Sequence, residues 1–181
     1  MKKMMKTVLL GAVMLGAVSL TGADFRIDLQ VEKDTCGLVA KGGSKGVSIW
    51  KADWKKENQD RRLVITGKSG EKWEEKWAQF IPNEDCIVCV QLMSPSPKAY
   101  VAFDNIRIEG ASLKNGSFEQ IGAKGTPQGW YAMGKYTLKK ADAADGENCV
   151  EVAHNDRALQ LIKCKKGQLV KITFMVRDAK R

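Results

Sequence analysis

The chain has 181 residues, with 30 Lys and Arg against 21 Asp and Glu and a formal net charge of +9. Hydrophobic residues make up 44% of it, which is typical of a globular chain and excludes a disordered polymer, a collagen-like repeat and a multi-span membrane protein. The length allows one domain or at most two small ones. His154 is the only histidine, so a zinc site with several histidines is also excluded.

The first 23 residues follow the plan of a secretory signal peptide. Three lysines form a basic head, and residues 7–20 (TVLLGAVMLGAVSL) are apolar but too short to span a bilayer comfortably. Small residues end at Ala23, where cleavage is predicted; an uncleaved membrane anchor is the alternative. We therefore expect an exported protein, periplasmic, cell-surface or extracellular, that keeps no membrane contact after cleavage.

Short apolar runs separated by turn-forming residues predict strands along the mature chain. Residues 25–31 alternate between apolar and polar side chains, which is typical of a half-buried strand. Further strands are predicted at 47–50, 62–66, 73–81, 86–93, 100–109, 136–140, 149–153, 158–163 and 169–177. Residues 51–60 are helix-like or a solvated loop. This pattern predicts an all-β fold, an antiparallel β-sandwich.

The chain has five cysteines, an odd number. An oxidising compartment permits disulfides, but five cysteines leave at least one thiol unpaired. Cys86 and Cys89 have CxxC spacing but lie in a predicted strand, where residues i and i+3 point to opposite faces. We therefore expect these two to pack in apolar surroundings rather than to bridge each other or share a metal.

Two segments resemble the carbohydrate-binding modules of polysaccharide-degrading enzymes. The first is FDNIRIEG at 103–110, followed by NGSFE at 115–119, and the second is GTPQGW at 125–130. Such modules open with an NGxFE strand and a following GW, and close with a strand of the FDxIxI type. The resemblance implies a galactose-binding-like jelly roll, in which Trp73 and Trp130 are core residues.

The two halves of the module stand in reversed order. The closing half would occupy residues 24–111 and the opening half residues 112–181. The chain is then a piece of a tandem array, a circular permutant with one combined sandwich at 24–181, or two halves that complete each other between chains. We favour completion within one chain, because half a sandwich leaves strand edges and apolar faces open. Self-association through such edges is the related expectation.

Aromatic side chains are the candidates for binding sugar, because a flat ring packs against the CH-rich face of a pyranose. Trp50 and Trp54 are four residues apart among charged residues, so a helical turn or loop would place both rings on one exposed face. Tyr131 and Tyr136 are weaker candidates. The alternative is that the two Trp rings cover the sandwich edge as ordinary packing.

A structural calcium ion ties the opening strand to the closing strand in many such jelly rolls. The matching carboxylates here are Glu119 of NGSFE and Asp104 of FDNI. Calcium prefers several oxygen ligands, including carboxylates. Two carboxylates that cap turns, without a metal, are the alternative.

The expected function is non-catalytic binding of a polysaccharide or glycan. His154 is interpreted as a solvated histidine, and no catalytic motif accompanies it. The basic residues are scattered, so nucleic acid is not an expected partner, although acidic polymers are compatible with the net charge. The alternatives are a structural or adhesion β-sandwich that contacts protein partners, and a truncated fragment of a larger glycan-degrading protein.

Overall fold

A computed structural model describes residues 34–35, 37–51, 61–66 and 69–179. Twelve strands and no helix occur in these ranges, so no helix there is long and apolar enough to cross a membrane. The strands are β1 (Asp34–Thr35), β2 (Leu38–Gly43), β3 (Val47–Lys51), β4 (Arg61–Thr66), β5 (Glu74–Pro82), β6 (Cys86–Met93), β7 (Tyr100–Glu109), β8 (Tyr131–Met133), β9 (Thr137–Lys139), β10 (Cys149–Val152), β11 (Arg157–Cys164) and β12 (Val170–Ala179).

The strands form two sheets packed as a β-sandwich, which confirms the predicted fold class. The seven-stranded sheet has the order β1-β2-β5-β12-β7-β10-β9, and the five-stranded sheet has the order β3-β4-β6-β11-β8. Neighbouring strands are antiparallel except β4 and β6, which are parallel.

Each sheet contains strands from both parts of the chain. In the seven-stranded sheet β12 lies between β5 and β7, and β10 follows β7. In the five-stranded sheet β11 lies beside β6. Strands before and after residue 111 therefore share one core in the part of the chain that the structure describes.

The core follows from the period of two along each strand. In β12 every second residue from Val170 to Val176 is buried, and the intervening residues are half-buried. Phe174 of β12 meets Phe103 of β7 with ring centroids 5.9 Å apart. β6 differs, because its residues from Val88 to Met93 are buried on both faces, and all of them except Gln91 are apolar.

Most strand predictions agree with the structure, and β6 and β7 have the predicted bounds. The sequence pattern missed β2, whose bulge and two glycines interrupt the alternation. It also missed β1 and β8, which have only two and three residues. NGSFE was expected to be a strand but forms turns and irregular backbone. The predicted strand at 25–31 and all but the first residue of the 51–60 stretch lie outside the described residues.

Candidate functional site

A buried carboxylate fixes the loop between β9 and β10 (residues 140–148, the β9–β10 loop). Asp104 follows the core residue Phe103, so its side chain lies on the outer face of the seven-stranded sheet, where it is fully buried. Its carboxylate accepts hydrogen bonds from the backbone N–H groups of Ala144 (2.8 Å) and Asp145 (3.0 Å), and from Asn105 (2.6 Å). Burial raises the pKa of Asp104, although these hydrogen bonds act in the opposite direction.

Glu119 holds the other end of the same loop. Its Oε1 accepts hydrogen bonds from the backbone N–H groups of Glu147 (2.9 Å) and Asn148 (2.8 Å), and its Oε2 accepts one from the Asn148 amide (2.6 Å). Desolvation alone would raise the pKa of Glu119, but the hydrogen bonds from Asn148 and Glu147 outweigh it and lower the pKa. Asp104 and Glu119 thus anchor the two ends of the β9–β10 loop.

The hydrogen-bond donors around Asp104 and Glu119 decide whether these carboxylates have oxygens left to bind the predicted calcium ion. All four carboxylate oxygens of Asp104 and Glu119 accept N–H hydrogens, which carry partial positive charge and take the place of a cation. Within the described ranges, no group of three or more His, Cys, Asp or Glu side chains converges in a way that could hold a metal. This arrangement favours the turn-capping alternative, and calcium stays a prediction.

The NGSFE and GW motifs form a second, buried structure, which we call the Trp130 corner (Asn115, Gly116, Phe118 and Trp130). Phe118 and Trp130 are buried with ring centroids 5.1 Å apart, and the Trp130 indole N–H donates to the Asn115 carbonyl at 3.0 Å. The Gly116 carbonyl accepts from the Ile106 N–H of β7 at 2.8 Å. A Cβ on Gly116 would overlap the Ile106 carbonyl, so glycine is required there.

A cavity of about 400 Å³ opens on the outer face of the seven-stranded sheet. Arg177, Ala102 and Glu151 are paired across β12, β7 and β10 and lie on this face, because the residues beside them, such as Val176 and Val150, point into the core. The β9–β10 loop borders the same space. The lining residues are Glu71, Lys139, Ala141, Asp142, Glu151, Arg177, Asp178 and Ala179.

Arg177 is the central group of this cavity. Its guanidinium lies 5.0 Å from the centre of the Trp73 ring and forms an ion pair with Asp142 at 2.7 Å. Trp73 in turn donates its indole N–H to the Asp142 carbonyl at 3.1 Å. The Arg177 Nε is buried and finds no hydrogen-bond acceptor within the described ranges. We call this assembly, with the lining residues, the Trp73 cavity.

The charges of the cavity differ in sign from those of the whole chain. Four acidic and two basic side chains line it, whereas the chain carries a net charge of +9. Glu151 is almost fully buried and pairs with the half-exposed Lys139 at 3.7 Å. The cavity therefore has negative formal charge with two cationic groups held in fixed places.

The structure describes only some of the aromatic side chains that the sequence proposed for sugar binding. Trp50 lies in β3, opposite Arg62, but its side chain and all of Trp54 lie outside the described residues. Tyr131 lies on β8 at the edge of the five-stranded sheet and is 65% exposed. Tyr136 packs against the core with a buried hydroxyl, and burial raises its pKa. That position suits packing better than ring stacking.

Sequence reasoning missed the Trp73 cavity. Trp130 is a core residue as expected, but the expectation for Trp73 is wrong, because its ring is only half-buried and stacks on Arg177. A local signal was present: the residues around Trp73 are charged (EKWEEK), and in β5 regular alternation of buried residues begins only at Lys76. Arg177 and Asp142 carried no such signal.

Comparison with known proteins gives no relative. No protein-family model, curated protein or solved structure matches the chain. The geometry of the site therefore has to carry the functional conclusion.

Proposed function

We propose that the chain is a non-catalytic carbohydrate-binding protein and that the Trp73 cavity is its ligand site. The wall of the cavity carries this proposal, since six charged side chains, beside a half-buried indole, surround a space of about 400 Å³. That volume lies in the usual range of small-ligand sites, about 300–1,000 Å³. Carboxylate and guanidinium groups are suited to hydroxyl groups, because they offer several acceptors or donors at fixed angles.

The groups of the cavity are held in place before a ligand arrives. Arg177 is only 15% exposed and is fixed by Asp142 and Trp73, and Asp142 lies in a loop that Asp104 and Glu119 anchor. Side chains that are already ordered lose less conformational entropy on binding. This preorganisation supports a binding role rather than a merely solvated charged surface.

The charge of the cavity favours a neutral or amino-bearing sugar over an acidic one. A uronic-acid polymer would bring carboxylates towards four acidic side chains, at a cost in electrostatic repulsion. A protonated amine or an uncharged hydroxyl has acceptors there instead. Neutral and amino sugars are therefore the expected ligands, in preference to the acidic polymers that the net charge alone would favour.

The resemblance of FDNIRIEG, NGSFE and GW to carbohydrate-binding modules supports the same proposal. In this chain the motifs anchor the β9–β10 loop and the Trp130 corner rather than contacting the cavity directly. A permuted galactose-binding-like jelly roll, an exported location and a second sugar surface at Trp50 and Trp54 are parts of this proposal.

Binding of soluble oligosaccharides to the full-length chain tests the proposal. The probes are a neutral series (cello-oligosaccharides), an amino series (chitosan oligomers) and an acidic series (oligogalacturonates). We expect the neutral or amino series to bind, Trp73→Ala to abolish binding and Trp77→Ala to leave it intact. Trp77 is a matched control, a half-buried Trp of β5 that lies opposite Thr173 of β12, whereas Trp73 stacks on the lining residue Arg177 and donates its indole N–H to Asp142.

Two results would contradict the proposal. One is binding of the acidic series alone, lost with added salt, which indicates a diffuse basic surface. The other is no binding of any series, which favours the alternative of a structural or adhesion module with protein partners.

A further inference from the structure

Cys86 and Cys164 lie directly opposite each other at one end of the five-stranded sheet. β6 and β11 are antiparallel neighbours, and their register pairs these two cysteines. Two residues further along, Val88 pairs with Ile162, and both are core residues. Cys164 is itself buried in the core and Cys86 packs against it, so the two side chains share the inner face.

The spacing of such a pair suits a disulfide. Directly opposite residues in antiparallel strands have Cα atoms about 4.5–5.5 Å apart, and disulfides join cysteines with Cα atoms about 4.4–6.8 Å apart. The strand ends beside the pair are also fixed. Asp85 accepts hydrogen bonds from the Lys165 ammonium at 2.7 Å and from the Lys166 backbone N–H at 2.9 Å. Closing the bond therefore needs little movement of the backbone.

We propose that Cys86 and Cys164 are the site of a cross-strand disulfide that forms under oxidising conditions. Neither residue forms a disulfide with another cysteine of the described ranges. With oxidised glutathione as the oxidant, the half-buried Cys86 thiolate attacks one glutathione sulfur and displaces the other glutathione as its thiolate. The Cys164 thiolate then attacks the Cys86 sulfur and displaces the second glutathione. The two cysteine protons and two electrons pass to two glutathione thiols.

Among the described cysteines the register selects this pair. Cys89 lies opposite Leu161 and faces away from the core, and Cys149 belongs to the other sheet. Cys36 lies outside the described residues, and a bond between Cys36 and Cys86 is the competing outcome that the test has to distinguish.

The second step should limit the rate near neutral pH. Burial raises the pKa of Cys164 to about 12, and the nearby Cys86 adds to the shift. Because only the thiolate attacks, the rate of ring closure should rise about tenfold per pH unit well below that pKa. Protein with glutathione bound at Cys86 should therefore accumulate first and then disappear.

The test is disulfide mapping of the full-length chain after incubation with oxidised glutathione and alkylation. Cys86 and Cys89 share one tryptic peptide, residues 77–98, so fragmentation by mass spectrometry has to assign the bond. We expect peptide 77–98 linked through Cys86 to Cys164. The melting temperature should rise on oxidation, because the bond closes a long loop, and Cys164→Ala should remove the rise while Cys36→Ser keeps it.

The inference is overturned by any of three results. They are a bond between Cys36 and Cys86, glutathione that stays on Cys86 without closure at alkaline pH, and full alkylation of Cys86 and Cys164 after oxidation. Mapping on the unmodified sequence keeps the test valid even if Cys164→Ala fails to fold.

Discussion

Trp130 and Trp73 use the same polar contact in opposite settings. Each indole N–H donates to a backbone carbonyl, Trp130 to Asn115 at 3.0 Å and Trp73 to Asp142 at 3.1 Å. The Trp130 ring packs on Phe118 in the core, whereas the Trp73 ring packs on the Arg177 guanidinium at a cavity. The two tryptophans therefore differ in the group that covers the ring face and not in their hydrogen bonds. A ring covered by Phe118 is structural, whereas a ring covered by Arg177 at a cavity is a candidate for ligand binding.

The Trp130 corner should show the largest effect on stability. Trp130→Ala removes a ring that is 95% buried and leaves a cavity beside Phe118, so we expect a loss of about 3–5 kcal/mol in the free energy of unfolding. Urea denaturation measures it. Trp130→Phe should recover part of the loss, and an unchanged midpoint for Trp130→Ala would contradict the core assignment.

Asp104 comes next, because it anchors the loop that borders the Trp73 cavity. Asp104→Ala leaves the part-buried N–H groups of Ala144 and Asp145 without their acceptor, and since a fully buried unpaired donor costs about 1–3 kcal/mol, we expect a total loss within that range. Chemical denaturation of this variant should show the loss, and ligand affinity should fall as well because Asp142 loses its support. Wild-type stability in Asp104→Ala would show that the loop is held by other contacts.

The pH dependence of Asp104 has a definite sign. Burial raises the pKa of Asp104 in the folded state above its unfolded value, near 3.8. The contribution of its titration to the free energy of unfolding is therefore fully present below the unfolded pKa and is lost as pH rises through the higher folded pKa. Asp104→Asn does not titrate. The stability difference between wild type and Asp104→Asn should therefore shrink from pH 4 to pH 7 in urea titrations.

A difference that grows over this range would indicate that hydrogen bonds or a bound cation lower the pKa of Asp104. That outcome would support the predicted calcium site. Melting temperatures with calcium and with a chelator provide the matching control, because we expect no difference if hydrogen bonds alone hold the loop.

Much of the fold was predictable, because it depends on local patterns. Alternating residues in β12 and the apolar run of β6 reflect burial on one or both faces, which a single sequence records. The core position of Trp130 was implied by the resemblance of the GW motif and not by alternation, and the ring is buried. β2 was missed because its glycines and bulge break the alternation.

The Trp73 cavity was not predictable in the same way. Its groups come from separate parts of the chain, Trp73 before β5, Asp142 after β9, Glu151 in β10 and Arg177 in β12. Only the sheet order brings β12, β7 and β10 together, and no local spacing encodes that order. The resemblance also assigned Trp73 to the core. A sequence motif compares positions along the chain, and it contains no information on which side chain covers a given ring.

The smallest effect on stability is expected at Trp73. Trp73→Ala removes a half-buried ring and its contact with the mostly buried Arg177, and a cation–π pair of this kind is worth about 0.5–2 kcal/mol. Thermal unfolding should show this small change next to the large loss in Trp130→Ala. A loss in Trp73→Ala as large as that of Trp130→Ala would make Trp73 a packing residue.

The most direct measurement compares the two indole N–H groups while ligand is added. Trp73 and Trp130 each give one indole resonance in a ¹H–¹⁵N spectrum, which Trp73→Phe and Trp130→Phe assign. On titration with the tightest-binding oligosaccharide of the three series, the Trp73 resonance should shift in a saturable way and the Trp130 resonance should stay in place. A saturable shift of Trp130, or of the Trp50 and Trp54 resonances without Trp73, would contradict the assignment of the ligand site to the Trp73 cavity.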